Sequence, residues 1–262
     1  MPLPSDNFNE SIRSVNASQT LIRGLAIVES VAAGAVTLPE IAKHTGFSPS
    51  TVHRLASALV DARYLQHEPR RGYSLGGKLI ELGFQAYRKS SVLSAAKPYL
   101  EQLAKQTLNT VHIATLVDDE VIYLDKLPGQ RAVEVSSYIG GRNPITTTGV
   151  GKALILDRDE TEWRRILAHE ATAGRSVPTE EQWLDSMRRY SARDCAFDLG
   201  EGDPAIRCVA VPVRDATGRI VAAVSVTSVI QYMDPARMEE LVPVVKETAS
   251  EISGQLGWQP GR

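Results

Sequence analysis

Residues 48–59 read SPSTVHRLASAL. Ser48 ahead of Pro49 is a helix-start signal. The serine oxygen can accept an orphan N–H of the first turn, and proline at the first helical position loses nothing by lacking one. Val52, Leu55, Ala56 and Leu59 recur at i, i+3, i+4 and i+7 and form one apolar face. The remaining surface carries Ser50, Thr51, His53 and Arg54, with Ser48 at its leading end. Serine and threonine reach phosphates or base edges at short range, and arginine reaches guanine O6 and N7 or a phosphate. Taken alone the pattern also fits a solvated helix face, so its neighbours decide.

Upstream, SQTLIRGLAIVESVA (18–32) sets Leu21, Leu25, Val28 and Ala32 at helical spacing, with Ser18 as its cap. Next comes TLPEIAKHTG (37–46), where Thr37 and Glu40 form a capping box and Gly46 ends a short helix. Downstream, YLQHE and GYSLG read as two strands joined by PRRG, with Arg70 and Arg71 at the hairpin tip. Three helices followed by a basic-tipped hairpin make a winged helix-turn-helix. In that setting residues 49–59 are a recognition helix for double-stranded DNA, and the two arginines meet the flanking backbone or minor groove.

The chain has 262 residues, 43% hydrophobic and 23% charged, enough for two domains with their own cores. A net charge of −2 argues against nucleic acid, but it averages an asymmetry. Residues 1–90 hold ten Lys/Arg against seven Asp/Glu, or +3, and the remainder carries −5. A mildly basic small domain followed by an acidic larger one fits DNA binding by the first part only. No apolar run approaches the ~18 residues of a membrane span, and the polar MPLPSDNFNESIRS is no signal peptide, so no membrane partner is expected. Two cysteines, Cys195 and Cys208, suggest no disulfide framework, which makes the cytoplasm the default compartment. No metal-ligand cluster stands out, and neither metal nor cofactor is expected.

From Gly76 to about Leu108 the pattern is helical, broken near Ser90 and Pro98: a linker helix, then the first helix of a second domain. Alternation in TVHIATLVDDEVIYLDKLPG marks a hairpin turning at Asp118-Asp119, and VEVSSYIG is a further strand candidate. Helical stretches follow at about 149–157 and 159–192, the second interrupted near Ala173-Gly174. IRCVAVPVRDATGRIVAAVSVTSV is a long hairpin turning at Asp215 to Gly218. A final helix is capped by Asp234, with Met238, Leu241, Val242, Val245 and Ile252 along one face. Hairpins among helices, without strict βαβ crossovers, indicate an antiparallel α+β sensor domain.

LIRGLAIVESV, TLPEIAKHTGFSPSTVHRLASALVDARYLQ and GYSLGGKLIELG resemble the N-terminal part of the IclR family of bacterial transcriptional regulators. NPITTTGVGKALI, IRCVAVPV and GRIVAAVSVT are similar to that family's effector-binding domain. The resemblance covers about residues 16–256. It implies an α+β chain: a winged helix-turn-helix domain at 16–76, a linker helix at 77–90, and a GAF-like α/β effector-binding domain at 91–258. It further implies homodimers joined largely through the DNA-binding domains and often paired into tetramers.

GVGKAL (149–154) is neither a phosphate loop nor a dinucleotide fingerprint: Thr146 occupies the first glycine position of the former, Ala153 follows the lysine, and position 154 is leucine. What survives is a glycine turn opening a helix, whose N–H groups can hold a carboxylate. By family position a small organic acid sits there, with Thr148 at the turn, backbone N–H groups of Gly149 and Val150, and side chains of Asp198, Cys208, Ser225 and Thr227. Ser225 and Thr227 alternate on one strand and share a face. Asp198 pairing with Arg207, and Cys208 as an inert core thiol, are the competing readings. Thr146, Thr147, Thr148, Ser225 and Thr227 suit a hydroxylated or keto acid such as a sugar acid. An aromatic catabolite lined by Tyr138, Trp163 or Phe197, and a protein partner in place of a ligand, are the alternatives. An enzyme would need Cys208 with His112 or His169, which nothing in the spacing brings together.

Overall fold

The computed structural model describes residues 19–88, 91–131 and 136–259. The chain separates into two compact units, Met1–Lys89 and Ser90–Arg262. In the first, helices α1 (Gln19–Ala32), α2 (Leu38–Thr45) and α3 (Pro49–Asp61) precede strands β1 (Leu65–Glu68) and β2 (Gly72–Leu75) and helix α4 (Gly77–Arg88). Thr37 and Glu40 close a reciprocal capping box on α2, Gly46 ends it in the left-handed conformation, and the Ser48 hydroxyl accepts the Thr51 N–H to start α3. Strands β1 and β2 pair antiparallel, Leu65 opposite Leu75 and Glu68 opposite Gly72. The wing is tied back by the Tyr73 N–H donating to the Val36 carbonyl at 2.7 Å. This is a winged helix-turn-helix.

Its core joins Ile27, Val31, Ile41, Val52, Leu55, Ala56, Leu65 and Tyr73. The α3 stripe packs as its spacing predicts, with Leu59 at the margin. The α1 stripe does not. Leu21 is 61% and Leu25 46% exposed, Ala32 is exposed, and Val28 is half-buried. Ile27 and Val31 carry the buried face instead. Both sets obey helical spacing, and the tertiary partners, not the period, choose between them. The proposed cap Ser18 lies outside the described residues.

The second unit opens with α5 (Ser91–Thr107), continues through strands β3 (Thr110–Val117), β4 (Glu120–Leu127) and β5 (Arg142–Asn143), then helices α6 (Gly149–Leu154), α7 (Glu160–Thr172) and α8 (Glu180–Arg193). Strands β6 (Ala196–Asp198), β7 (Ile206–Arg214) and β8 (Ile220–Val229), a 3-10 turn at Ile230–Tyr232 and helix α9 (Pro235–Gln255) complete it. The six strands form one antiparallel sheet in the order β5-β4-β3-β8-β7-β6. Asp118 and Asp119 make the β3–β4 turn with φ of 51° and 59°, and Asp215 to Gly218 make the β7–β8 turn. Met238, Leu241, Val242, Val245 and Ile252 of α9 are buried.

Three expectations need correction. Pro98 does not break a helix: it lies inside α5 on an exposed face, where water can take up the carbonyl it leaves without a donor. VEVSSYIG is not a strand where it is described. Residues 133–135 lie outside the described residues, and 136–140 run as irregular chain and turn before the short β5. The helix expected at 149–157 ends at Leu154, and the longer one is the separate pair α7 and α8.

Because Ile27 is fully buried, Ile27→Ala should lower stability by about 2–4 kcal/mol at every protein concentration. Any cost of Leu21→Ala should instead vanish on dilution, since that side chain is exposed in the protomer. Denaturant unfolding at two concentrations separates the cases.

Candidate functional site

On α3 the apolar residues face inward and Ser50, His53 and Arg54 stand exposed, with Thr51 half-buried. The Ser48 oxygen is already engaged, 2.9 Å from Thr51 Oγ1 and 3.2 Å from Ser50 Oγ, so its first task is to hold the start of the helix. Arg70 and Arg71 are exposed at the wing tip, and Arg71 lies 3.6 Å from Glu68 in a solvent-facing ion pair that a phosphate can replace.

In the second unit the strand register collects the polar residues. Asp198 lies opposite Cys208, Cys208 opposite Thr227, and Thr227 opposite Thr110, one row across four strands. Two residues along, Ala196, Ala210, Ser225, His112 and Lys126 form the next row. Residues facing each other across an antiparallel ladder share a side of the sheet, so both rows look the same way. The intervening valines Val209, Val211, Val224 and Val226 face the opposite side. All of Asp198, Cys208, Ser225, Thr227 and His112 are buried.

The turn into α6 is pressed onto this face. A Cβ on Gly149 would lie 2.3 Å from Cys208 Sγ, and one on Gly151 2.6 Å from the Ile145 backbone, so neither position admits a side chain without displacement. The Thr148 hydroxyl accepts the Gly151 N–H at 3.2 Å. This leaves the N–H groups of Gly149 and Val150 without a partner among the described residues. Glu170, buried on α7, fixes the approach: it accepts the Ile145 N–H at 2.6 Å, the Thr146 N–H at 3.2 Å and the Thr146 hydroxyl. Lys152 points into the interior, donating to the Phe197 carbonyl at 2.9 Å and to Glu201 at 2.5 Å.

Asp198 does not pair with Arg207, which donates to the carbonyls of Pro204 and Ile206. Its carboxylate accepts the Gly200 and Glu201 N–H groups instead. Burial, then a hydrogen bond shared with Glu201, pushes Asp198 up to about 7, against the Gly200 N–H and the Lys152 charge. Burial also opposes the charge of Glu201, yet Lys152 and the hydrogen bond with Asp198 together hold that carboxyl below its ordinary value. The two carboxyls thus share one lysine, and Asp198 is the one that keeps a proton toward neutrality. His112 is driven down to about 3 by burial and by Lys126, so its ring is neutral; Nε2 lies 2.8 Å from Ser137 Oγ and Nδ1 3.4 Å from Thr227 Oγ1. Cys208, pushed up by burial, is no nucleophile, and Thr227 stands between it and His112.

Residues 84–254 match the family model described as the bacterial transcriptional regulator IclR C-terminal domain, and residues 20–69 match the IclR helix-turn-helix domain. The chain belongs to the IclR family. Among curated relatives, the HTH-type transcriptional regulator KdgR of Escherichia coli is 28% identical over 227 residues, covering 85% of this chain and 86% of its own. XynR of the same organism is 28% identical over 246 residues, with 92% and 98% covered. A solved IclR regulator from Alicyclobacillus acidocaldarius superposes with a TM-score of 0.78 at 26% identity, covering 92% and 100%. As an IclR-family member the chain is a ligand-responsive, DNA-binding transcriptional regulator.

Within this IclR-type architecture the structure brings Gly149, Asp198, Cys208, Ser225 and Thr227 together on one face, beside the α6 turn that contains Thr148 and Val150. Tyr123, Ser137, Glu170 and Lys152 have no place among the site residues read from the sequence, and His112 enters there only as a base for Cys208 in the enzyme reading. Only His112 carried a signal: it has the same strand parity as Thr110 in THIAT-like alternation. Gly149→Ala should unseat α6 and lower the thermal midpoint, at a cost of about 1–3 kcal/mol. Adding Cys208→Ala removes the atom it meets and should recover most of the loss, a coupling that thermal unfolding of both single and the double variants measures.

Proposed function

We propose that this regulator docks α3 in the major groove of operator DNA, with Ser48, Ser50, Thr51, His53 and Arg54 at the contact and Arg70 and Arg71 of the wing on the flanking backbone. The exposed Leu21 and Leu25 of α1 offer an apolar face for a second copy, which supports a homodimer on a pseudo-palindromic site. Arg54→Ala should cost about 1–3 kcal/mol if the arginine is bidentate to guanine. Replacing Arg70 and Arg71 by alanine should weaken binding to all sequences and flatten its salt dependence. A mobility-shift titration in which the double wing variant matches the wild type at every salt concentration would remove the wing from the interface.

We further propose that the effector is a small hydroxylated or keto acid, such as a sugar acid, its carboxylate on the N–H groups of Gly149 and Val150. The observation that carries this reading is the shared face of Asp198, Ser225 and Thr227 beside that turn. Asp198, its raised carboxyl sharing its proton with Glu201, can accept a ligand hydroxyl while repelling the anion less than a free carboxylate would. Support over an aromatic ligand comes from the surroundings of three rings: Tyr138 is 73% exposed, Trp163 donates to the Ile155 carbonyl, and Phe197 alternates with Asp198 along β6. Binding there is coupled to operator affinity reciprocally, by ~1–3 kcal/mol, with α4 as the chain connection. Calorimetry with an acid panel should show weaker binding for Asp198→Ala, Ser225→Ala and Thr227→Val. Unchanged affinity in all three would displace the site.

A further inference from the structure

The polar face of the sheet carries one more side chain than strand alternation allows. On β4, residues 123 and 126 are an odd number apart and would face opposite sides of a regular strand. The ladder is irregular here: Ile113 lies opposite Asp125, but the next residue, Ala114, lies opposite Tyr123. Leu124 is the extra residue of a bulge, and the bulge turns Tyr123 to the same side as His112 and Lys126. The tyrosine ring stacks on the His112 imidazole, with centroids 4.7 Å apart and planes 28° apart. His112 is itself held at its far nitrogen by Ser137.

Among the described residues the Tyr123 hydroxyl has no hydrogen-bond partner. Burial, with the nearby Cys208 and Asp198, pushes its pKa above the ordinary tyrosine value. The phenol is therefore an O–H donor at every working pH, within electrostatic reach of the row that contains Asp198. Strand β4 stands three strands from β7, about 14 Å at ~4.8 Å per strand, with the His112 ring on β3 beside the tyrosine and the charges of Cys208 and Asp198 acting on its hydroxyl. The floor between is made small by Ala114, Ala210 and Ala223.

Resting on the effector reading above, we infer that Tyr123 is a specificity-determining residue of the same site. Its hydroxyl donates to an oxygen of the effector remote from the carboxylate held at the Gly149 turn, and His112 is the positioning residue that sets the ring. The ligand class is thereby narrowed to short acids with a second oxygen, as hydroxyl, keto group or second carboxylate, several bonds from the first.

The test is calorimetry on the full chain with pyruvate, D-glycerate, D-gluconate, 4-hydroxybenzoate and propionate, for wild type, Tyr123→Phe and Asp198→Ala. Tyr123→Phe should weaken the best-binding oxygenated acid roughly five- to tenfold and leave propionate unchanged. Its thermal midpoint should not fall, because no hydrogen bond within the protein is lost. Wild-type affinity in Tyr123→Phe alongside weakened binding in Asp198→Ala overturns this assignment and leaves the effector site standing. A variant that misfolds, or that loses affinity for every acid equally, assigns the hydroxyl a structural task and also overturns it. If no acid in the panel binds the wild type, the effector reading falls and the assignment with it.

Discussion

The second unit depends on the register of β8 between β3 and β7. A slip of one residue would turn Ser225 and Thr227 into the valine side of the sheet and bring Val224 and Val226 to the polar one. Two hydroxyls would then be buried without partners, at about 1–3 kcal/mol each, while apolar side chains faced a polar site. The same burial term that selects the fold therefore also assembles the site. The Asp215–Gly218 turn supports that choice locally: the Asp215 carboxylate accepts the Thr217 N–H at 2.9 Å, and Gly218 takes a φ of 81°.

Buried charge then fixes the helix over the sheet. Glu170 grips the chain just before the α6 turn, and Arg175 donates to it from solvent at 3.3 Å. Lys152 anchors the other side through Glu201 and the Phe197 carbonyl. Such groups add little net stability compared with a well-packed apolar substitute, but removing one partner strands the other. Their contribution is placement: α6 has one seat against Cys208 and Ala210, and the Gly149 and Val150 N–H groups, without a partner among the described residues, are held there ahead of any ligand.

How much of this was readable in the amino-acid order follows from the range of each interaction. The caps at Thr37, Ser48 and Asp234, the turns at Asp118-Asp119 and Asp215–Gly218, and the stripes of α3 and α9 are local signals, and they appear where the spacing puts them. The parity of Ser225 and Thr227 is equally local. On α1 two stripes satisfy one period, and packing against α2 and α3 decided for Ile27 and Val31. Glu170 and Lys152 act on residues 24 to 49 positions away, which no periodicity records. Tyr123 is hidden more thoroughly, because the bulge at Leu124 reverses the parity by which a strand is read.

The seating of α6 also bears on the chemistry of the thiols. Cys208 lies beneath Gly149, and burial raises its pKa; Cys195, equally buried, is pushed up to about 12. Thiolates, not thiols, react with peroxide and alkylating agents, so burial disfavours the reactive form of both sulfurs, and for Cys208 the cover is the seated helix. Labelling of Cys208 should therefore be slow, and its rate should report how often that helix lifts.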